Sequence, residues 1–385
     1  MTGFRFLTAG ESHGKGLTVI IEGLPAGMSL SEDYIARDLK RRQGGYGRSQ
    51  RMKIEQDRAE ILSGVRHGRT IGSPIALLIW NRDWENWQQV MSVSPPDQKV
   101  DLLTRPRPGH ADLAGVIKYG LDDIRPILER SSARETAARV AAGAVARRFT
   151  EEFGIEVHSH TVAIGGRWSN LQEAIDWGVV ENSPVRCADV EAGMAMTAAI
   201  DEAASNGDTV GGVLEIVAAG VPVGLGSHVH WDRRLDGRIA QAVMSINSVR
   251  AVEIGAGFRM ADLKGSQAHD AVEIGDGSPY WWQRASNYAG GIEGGISNGE
   301  PIVVRATAKP VPTLRKPLPS VDLSTRQATE AHFERSDICI VPAAGVIGEA
   351  MLAIVLADAL LEKFGGDNLG ETRRNYHSYM ESIRG

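Results

Sequence analysis

The sequence predicts a mixed α+β fold in one domain spanning residues 1–385, and three observations predict it. Helical and strand-like patterns alternate irregularly, without the strand–helix–strand rhythm of a doubly wound sheet. No linker, internal repeat or low-complexity tract offers a place to divide the 385 residues, although length alone would allow two or three domains. The chain is 42% hydrophobic and 23% charged, the balance of a globular protein with a large core rather than of a disordered chain.

The elements run in order along the chain. Thr18-Val19-Ile20-Ile21-Glu22 reads as a buried strand closed by Gly23-Leu24-Pro25. Ser31-Glu32-Asp33 starts a helix with Ile35 and Leu39 one turn apart, and Gly44-Gly45 ends it after Arg41-Arg42-Gln43. Ile75 to Ile79 is a second strand. It leads into Trp80, Trp84 and Trp87, read as a packing plug or subunit contact rather than a platform for bases. Glu135 to Phe149 is alanine-rich and strongly helical, with Ala137, Val140, Ala141, Ala144 and Val145 on its apolar side and Gly154 as its stop. Helices are expected over 190–204 and 234–245, and strands over 213–218, 251–254 and 302–306. Arg315 to Thr325 reads as a loop. The last long helix starts near Pro342, a favourable first-turn residue, and stops before Gly365-Gly366. Its Met351, Leu352, Val355, Leu356, Ala359 and Leu360 form a wide apolar face for the core.

Composition narrows the function. A net charge of -6 argues against broad nucleic-acid binding while leaving room for a local basic site. Two cysteines, Cys187 and Cys339, give neither a disulfide framework nor a Cys-based zinc site, and they fit a reducing cytoplasm. No apolar run is read as long enough to cross a membrane, and the first residues lack a signal-peptide pattern. The expected partner is a small molecule, with neither nucleic acid nor membrane.

Seven segments are candidates for carrying chemistry. In Gly10-Glu11-Ser12-His13-Gly14-Lys15-Gly16 a histidine sits among glycines that accept an entropic cost, which suggests close approach to a ligand. In an extended segment Ser12 and His13 would face opposite ways, so an acid or base acting on an anion fits better than a serine nucleophile. A plain glycine-rich turn stays open as the alternative. Arg105-Pro106-Arg107-Pro108-Gly109-His110-Ala111-Asp112 places a second histidine just before a helix at 113–121 that Asp112 would cap. That position resists protonation and attracts anions. Glu129-Arg130-Ser131-Ser132-Ala133-Arg134 leads into the alanine-rich helix and reads as an anion cradle, or as an ordinary serine cap with surface arginines. Arg41 to Lys53 is a basic, glycine-punctuated loop suited to a polyanionic ligand, or simply solvated. Gly290 to Gly299 has no Walker A or dinucleotide fingerprint. Lys309-Pro310-Val311-Pro312-Thr313 could hold a ligand on a stiff backbone. Arg335-Ser336-Asp337 could bind an anion and supply a base, or form a plain ion pair.

Together these segments resemble the chorismate synthase family. The blocks are Gly10 to Gly14 with Glu22-Gly23-Leu24-Pro25, Glu129 to Arg134, and Arg335-Ser336-Asp337, with Arg105 to Asp112 and Gly294 to Gly299 adding to them. The resemblance runs from Gly10 to the last long helix. It implies a 1,4-elimination of phosphate from 5-enolpyruvylshikimate 3-phosphate with reduced FMN, which lends an electron transiently, and NADPH as a possible reductant. It implies that His13 protonates the departing phosphate, that His110 sits by the flavin, and that Asp337 acts with flavin N5 in proton removal.

By the same resemblance the flavin contacts are Arg130, Ser131, Ser132, Asn247, Ser248, Gly294, Lys309, Pro310, Val311, Pro312, Thr313 and Arg335. Ser12, Arg42, Arg48 and Arg134 would serve the substrate or NADPH. One departure stands out: Ser248-Val249-Arg250-Ala251 occupies the place of alanine, an apolar residue, lysine and glycine, so charge is kept and glycine is lost. The implied fold is a β-α-β sandwich with antiparallel sheets enclosing a helical layer, assembled as a homotetramer in which the tryptophan cluster would serve contacts. The rival readings are a flavin reductase without lyase activity, and a non-catalytic anion or nucleic-acid binder using residues 41–53, which strong salt sensitivity would reveal.

Overall fold

The computed structural model describes residues 3–49, 55–170, 174–275 and 280–384. The main elements run in the order β1 (Arg5–Ala9), β2 (Gly16–Glu22), α1 (Glu32–Gln43), β3 (Ala59–Ile61), β4 (Ile75–Trp80), α2 (Asp112–Tyr119), α3 (Arg125–Ser131) and α4 (Thr136–Glu151). Then come β5 (Glu156–Ile164), α5 (Val190–Ser205), β6 (Gly212–Ala219), α6 (Leu235–Met244), β7 (Val249–Ile254), β8 (Ile302–Ala308), α7 (Val341–Phe364) and α8 (Leu369–Arg384). The fold is mixed helix and sheet, as the irregular alternation predicts.

Two antiparallel sheets organise it. The first has the order β1-β2-β4-β3. Leu17, Val19 and Ile21 alternate with Thr18 and Ile20, so one face joins Ile75, Leu77 and Ile79 in the core. The second runs β7-β8-β6-β5 with the edge pair Arg167–Trp168. Helix α4 packs on the first sheet, α7 packs on the second, and the two helices pack on each other. Their closest approach is at Gly143, where a Cβ would collide with the backbone and side chain of Ala350. Gly143→Val should therefore destabilise the protein by about 1–3 kcal/mol, the range for overpacking. The check is the unfolding midpoint in urea, and an unchanged midpoint would mean that the helices part without loss.

Helix boundaries match their local signals. Ser31 caps α1 by accepting from Tyr34 N–H at 3.2 Å, Asp189 caps α5, and Gly154 at φ +76° follows the end of α4. Three expectations need correction. First, α7 is long and apolar enough by composition to cross a membrane, contrary to the sequence reading, but 94% of its most apolar window is buried inside this fold. An all-round apolar helix suits a large core as well as a bilayer, and α7 is wrapped by α1, α4, α6, β5 and β6.

Second, α7 is not the last long helix, because α8 comes after it. Its start is marked by Asn368, which accepts from Glu371 N–H at 3.0 Å while the Glu371 carboxylate accepts from Asn368 N–H at 3.4 Å. This reciprocal box is visible as Asn-Leu-Gly-Glu, but Gly370 and the polar run after it obscure the helix. Third, the loop at 315–325 contains Pro319–Val321, which pairs with Ala328–Glu330.

The core also holds charge. Glu349, in the middle of α7, is fully buried and accepts from Arg41 of α1, Arg147 of α4, Arg186 and the Ser159 hydroxyl of β5. Arg41, read from sequence as part of an anion-binding loop, is thus a structural residue that also pairs with Glu181 at 2.6 Å. Of that basic loop, Gln50, Arg51, Met52 and Lys53 lie outside the described residues.

Candidate active site

The loop between β1 and β2 is a turn rather than the extended segment expected. Gly10 adopts φ +108°, and a Cβ there would strike the Gly16 carbonyl. Asn81 holds the loop by donating to the carbonyls of Glu11 and Gly14, at 3.1 and 2.7 Å. The turn presses Ser12 and His13, 2% and 8% exposed, against the end of α3. Ser12 N–H donates to the Glu129 carbonyl at 3.2 Å, and the Ser132 hydroxyl reaches that of Ser12 at 3.1 Å.

His13 Nδ1 lies 2.8 Å from Glu129 Oε1, and His13 N–H donates to Glu129 Oε2 at 2.7 Å. Burial works against charge on Glu129, but the His13 bonds and the Arg125 guanidinium outweigh it and hold the carboxyl below its usual range. The Trp87 ring stacks on His13 at 3.9 Å and 24°. Trp87 therefore belongs to this site, whereas Trp80 is 52% exposed on the outer face of the first sheet.

The segment 129–136 is less simple than a serine-lined helix start. Ser131 ends α3 with its hydroxyl turned back to the Ile127 carbonyl at 2.6 Å. Ser132 caps the short turn Ala133–Glu135, not α4 itself. Arg130 reaches back to the Gly10 and Thr8 carbonyls, each at 3.1 Å. Arg134 is buried, donating to Asn81 Oδ1 at 2.9 Å and Asp57 Oδ1 at 2.5 Å, while its Nη2 makes no hydrogen bond among the described residues and stands 3.6 Å from Glu55.

Arg42 meets the other oxygen of Asp57 at 3.4 Å, Thr136 at 2.9 Å and the Ala133 carbonyl at 2.8 Å. Burial, with Arg48 and Arg134 nearby, pushes its guanidinium down to about 10. Arg48 pairs with Asp337 at 2.8 Å, and Ser49 N–H donates to the same carboxylate at 2.7 Å. The fold therefore gathers Arg42, Arg48 and Arg134 with Asp57, Glu55 and Asp337 into one neighbourhood of paired charges, next to the Ser12–His13 turn.

His110 sits in a second carboxylate-backed arrangement. Asp112 does not cap α2, which begins without a side-chain cap. Its buried carboxylate instead accepts from Arg107 N–H at 3.1 Å, from Arg107 Nε at 2.8 Å, and lies 2.5 Å from His110 Nδ1. Burial opposes that charge, but His110 and Arg107 outweigh it and hold the carboxyl well below its usual range. Arg107 also donates to the Thr313 hydroxyl at 3.1 Å, and Lys309 Nζ donates to the Gly109 carbonyl. Burial, then Arg250, pushes the Lys309 amine down.

The Ser336 hydroxyl reaches the Thr313 carbonyl at 3.1 Å, and the Val311 carbonyl accepts from Thr209 at 2.8 Å. The stretch Lys309 to Thr313, with Pro310 and Pro312 stiffening it, is thereby tied to both His110 and Asp337. Arg125 joins the halves, donating to Glu129 at 3.2 Å and to Glu334 at 2.7 Å.

Asn247 comes after α6 and donates to the Ser131 carbonyl at 3.0 Å, while its Oδ1 is buried without a hydrogen-bond partner among the described residues. Ser248 holds the left-handed φ of +73°, unusual outside glycine, and its carbonyl accepts from Lys309 N–H at 2.9 Å. The departure at 248–251 coincides with a bulge between Val249 and Ala251, which leaves Arg250 unpaired in the ladder. Arg335 is exposed and has no hydrogen bond or ion pair among the described residues. Gly294 is the outlier. It lies in the hairpin turn between Ile292 and Ser297, at the start of α6, where the Gly295 carbonyl accepts from Leu235 N–H at 2.9 Å. Asn247 lies past the other end of that helix, roughly 15 Å away by helical rise.

Sequence reasoning missed Glu129 as a partner of His13, Asp57 between Arg42 and Arg134, and Trp87 on His13. Glu129 was visible within its motif, but nothing local tied it to residue 13. Two histidines backed by carboxylates, beside buried arginines, suit acid–base work on an anionic substrate.

Comparison with known proteins agrees with this chemistry. The family model for chorismate synthase matches residues 4–361. The chain is 59% identical to a chorismate synthase of Moorella thermoacetica, covering 98% of this chain and all of that protein. It is 57% identical to one of Geobacter sulfurreducens, with 99% of each chain covered. A crystal structure of a chorismate synthase superposes with a TM-score of 0.79 at 46% identity, covering 99% of this chain and 98% of that one.

Proposed function

The chain belongs to the chorismate synthase family, and from that premise we propose how its own residues carry the reaction. It is a lyase of the shikimate pathway, turning 5-enolpyruvylshikimate 3-phosphate into chorismate and phosphate. The observation that carries the reading is two carboxylate-backed histidines tied by hydrogen bonds to the arginine cluster: the His13 turn to Arg134 through Asn81, and His110 through Arg107, Thr313 and Ser336 to the segment of Asp337, which pairs with Arg48.

The elimination breaks one C–O bond and one C–H bond. Phosphate leaves with the C–O electron pair, and a base takes the proton. Arg42, Arg48 and Arg134 hold the phosphate and carboxylates of the substrate, with the Nη2 of Arg134, which makes no hydrogen bond among the described residues, supporting that role. Ser12 lines the same turn. His13 protonates the departing phosphate. Asp337, oriented by Arg48 and Ser49 N–H, takes part in removal of the ring proton.

The residues present fit a flavin. Among the described residues Asn247 Oδ1 is a buried acceptor without a partner and Arg335 is an uncommitted cation for a phosphate, and Lys309 to Thr313 offer a stiff wall beside His110. Arg130, Ser131, Ser132 and Ser248 border that wall through the Asn247–Ser131 and Ser248–Lys309 bonds. When bound there, reduced FMN supplies the electron that the substrate borrows and returns. Gly294 would reach it only from elsewhere, such as a neighbouring subunit. NADPH is proposed as a possible reductant of the flavin.

We propose one unit, 1–385, with the layer order sheet, helices, sheet; the packing of α4 and α7 supports it. A homotetramer is proposed in turn. The outer face of the first sheet supports this, because Leu7, Ile20 and Trp80 are more than half exposed there. A cytoplasmic enzyme of small anionic substrates, acting on neither nucleic acid nor membrane, completes the reading.

The test is anaerobic. Protein, 5-enolpyruvylshikimate 3-phosphate and chemically reduced FMN should release chorismate and phosphate in equal amounts. Absence of both, with flavin demonstrably bound, would refute this assignment of residues and raise the reductase reading. Repeating the assay with NADPH and oxidised FMN tests the reductant.

A further inference from the structure

The grip of Glu129 on His13 has two points of contact, and its meaning for the reaction rests on the reading of His13 as the acid. Glu129 comes from α3, 116 residues away in sequence, and its side chain is wholly buried. One carboxylate oxygen accepts the His13 backbone N–H and the other faces Nδ1, so loop and ring are fixed by a single group. An ionised carboxylate can only accept. Nδ1 therefore keeps its proton whether the ring is charged or neutral, and the proton exchanged with a ligand is the one on Nε2.

The ring plane is held as well. Trp87 stacks on it, and the Arg125 guanidinium lies 5.1 Å over the Trp87 ring while donating to Glu129. We infer that Glu129 is a positioning residue. It sets the tautomer and orientation of His13 so that Nε2 delivers the proton to the departing phosphate, with Trp87 as the clamp on the ring.

A glutamine at 129 has nearly the same shape but one acceptor and one donor. It cannot accept from both His13 N–H and Nδ1–H, and its amide N–H₂ would face one of them. The two groups then compete, and the ring loses its enforced tautomer.

The experiment uses the full-length protein with ¹⁵N-labelled histidine, the His13 signals being assigned by their loss in His13→Ala. In the native protein the neutral ring should be the Nδ1–H tautomer; finding Nε2–H would overturn the inference without any variant. In Glu129→Gln that signature should be lost and kcat should fall by about 10²-fold or more, with KM for the substrate little changed. A variant that keeps native kcat, or native ring signals, would overturn it.

His13→Ala, run beside it, separates the two readings. If His13→Ala loses turnover and Glu129→Gln does not, the positioning role fails and the acid role stands. If His13→Ala keeps turnover, the acid role fails and the inference falls with it. If Glu129→Gln does not fold, the tautomer in the native protein decides alone.

Discussion

His13→Ala is expected to lower kcat by about 10²–10⁴-fold, the contribution typical of a positioned general acid, while the protein folds and binds reduced FMN. The reason is local. His13 sits in a turn, and its ring meets Glu129 and Trp87 without joining the main apolar core. Removing the ring vacates a small buried space, leaves Arg125 as the partner of Glu129, and leaves the sheets and helices as they were. The measurement pairs stopped-flow phosphate release under anaerobic conditions with titration of reduced FMN. Turnover within a fewfold of the native rate would remove His13 from the chemistry. Loss of flavin binding along with turnover would assign it to binding instead.

Glu349→Gln should cost about 3–5 kcal/mol of stability, the range for breaking a buried ion pair from one side. Glu349 lies wholly inside the fold, where Arg41 donates at 2.7 and 2.9 Å, Arg147 at 2.6 Å, Arg186 at 3.2 Å and Ser159 at 2.6 Å. An amide in that place turns a donor toward guanidinium groups and removes the charge that balances them. Asp38 and Glu181 remain for these arginines, which limits the loss.

The pH dependence has a definite sign. Burial opposes ionisation of Glu349, but Arg147 and Arg41 outweigh it and hold its folded carboxyl well below the ordinary value. A depressed folded pKa adds stability above the unfolded value of about 4.3, and that stability is lost as pH falls further. Glu129 and Asp112 act in the same direction. Urea midpoints from pH 6 down to 3 should therefore fall more steeply for the native protein than for Glu349→Gln. Parallel curves would show that Glu349 does not carry this linkage.

Much of this protein is legible in its sequence for a reason that particular residues make plain. Ser31 with Glu32 and Asp33 announces α1, and Asp189 stands one residue before α5. The alternation of Leu17, Val19 and Ile21 announces β2. Capping and periodicity are relations between near neighbours, so they can be read in one dimension. The chemistry-bearing residue types are legible too, because glycine-flanked histidines and clustered arginines are poor core material. Local signals also misled. Asp112 has the residue type and position of a cap, yet the buried Arg107 and the half-buried His110 compete for its carboxylate more strongly than a helix end exposed to water. The apolar run of α7 says that the helix is buried but not in what.

By itself, then, the sequence determined the mixed composition of the fold, the approximate extent of α1, α4, α5, α6 and α7 and of β2, β4, β6 and β8, and the set of histidines, arginines and carboxylates available for an elimination from an anionic substrate. Only the tertiary structure decided their pairings: Glu129 on His13, Asp57 between Arg42 and Arg134, Arg48 on Asp337, Trp87 over the His13 ring, and Arg41 withdrawn into the core by Glu349. Glu129 stands 116 positions from His13, and Glu349 stands 308 from Arg41. No local rule links residues so far apart. Which buried charge meets which is settled when the sheets close on α4 and α7, because each desolvated group must then find a partner within the same closed space.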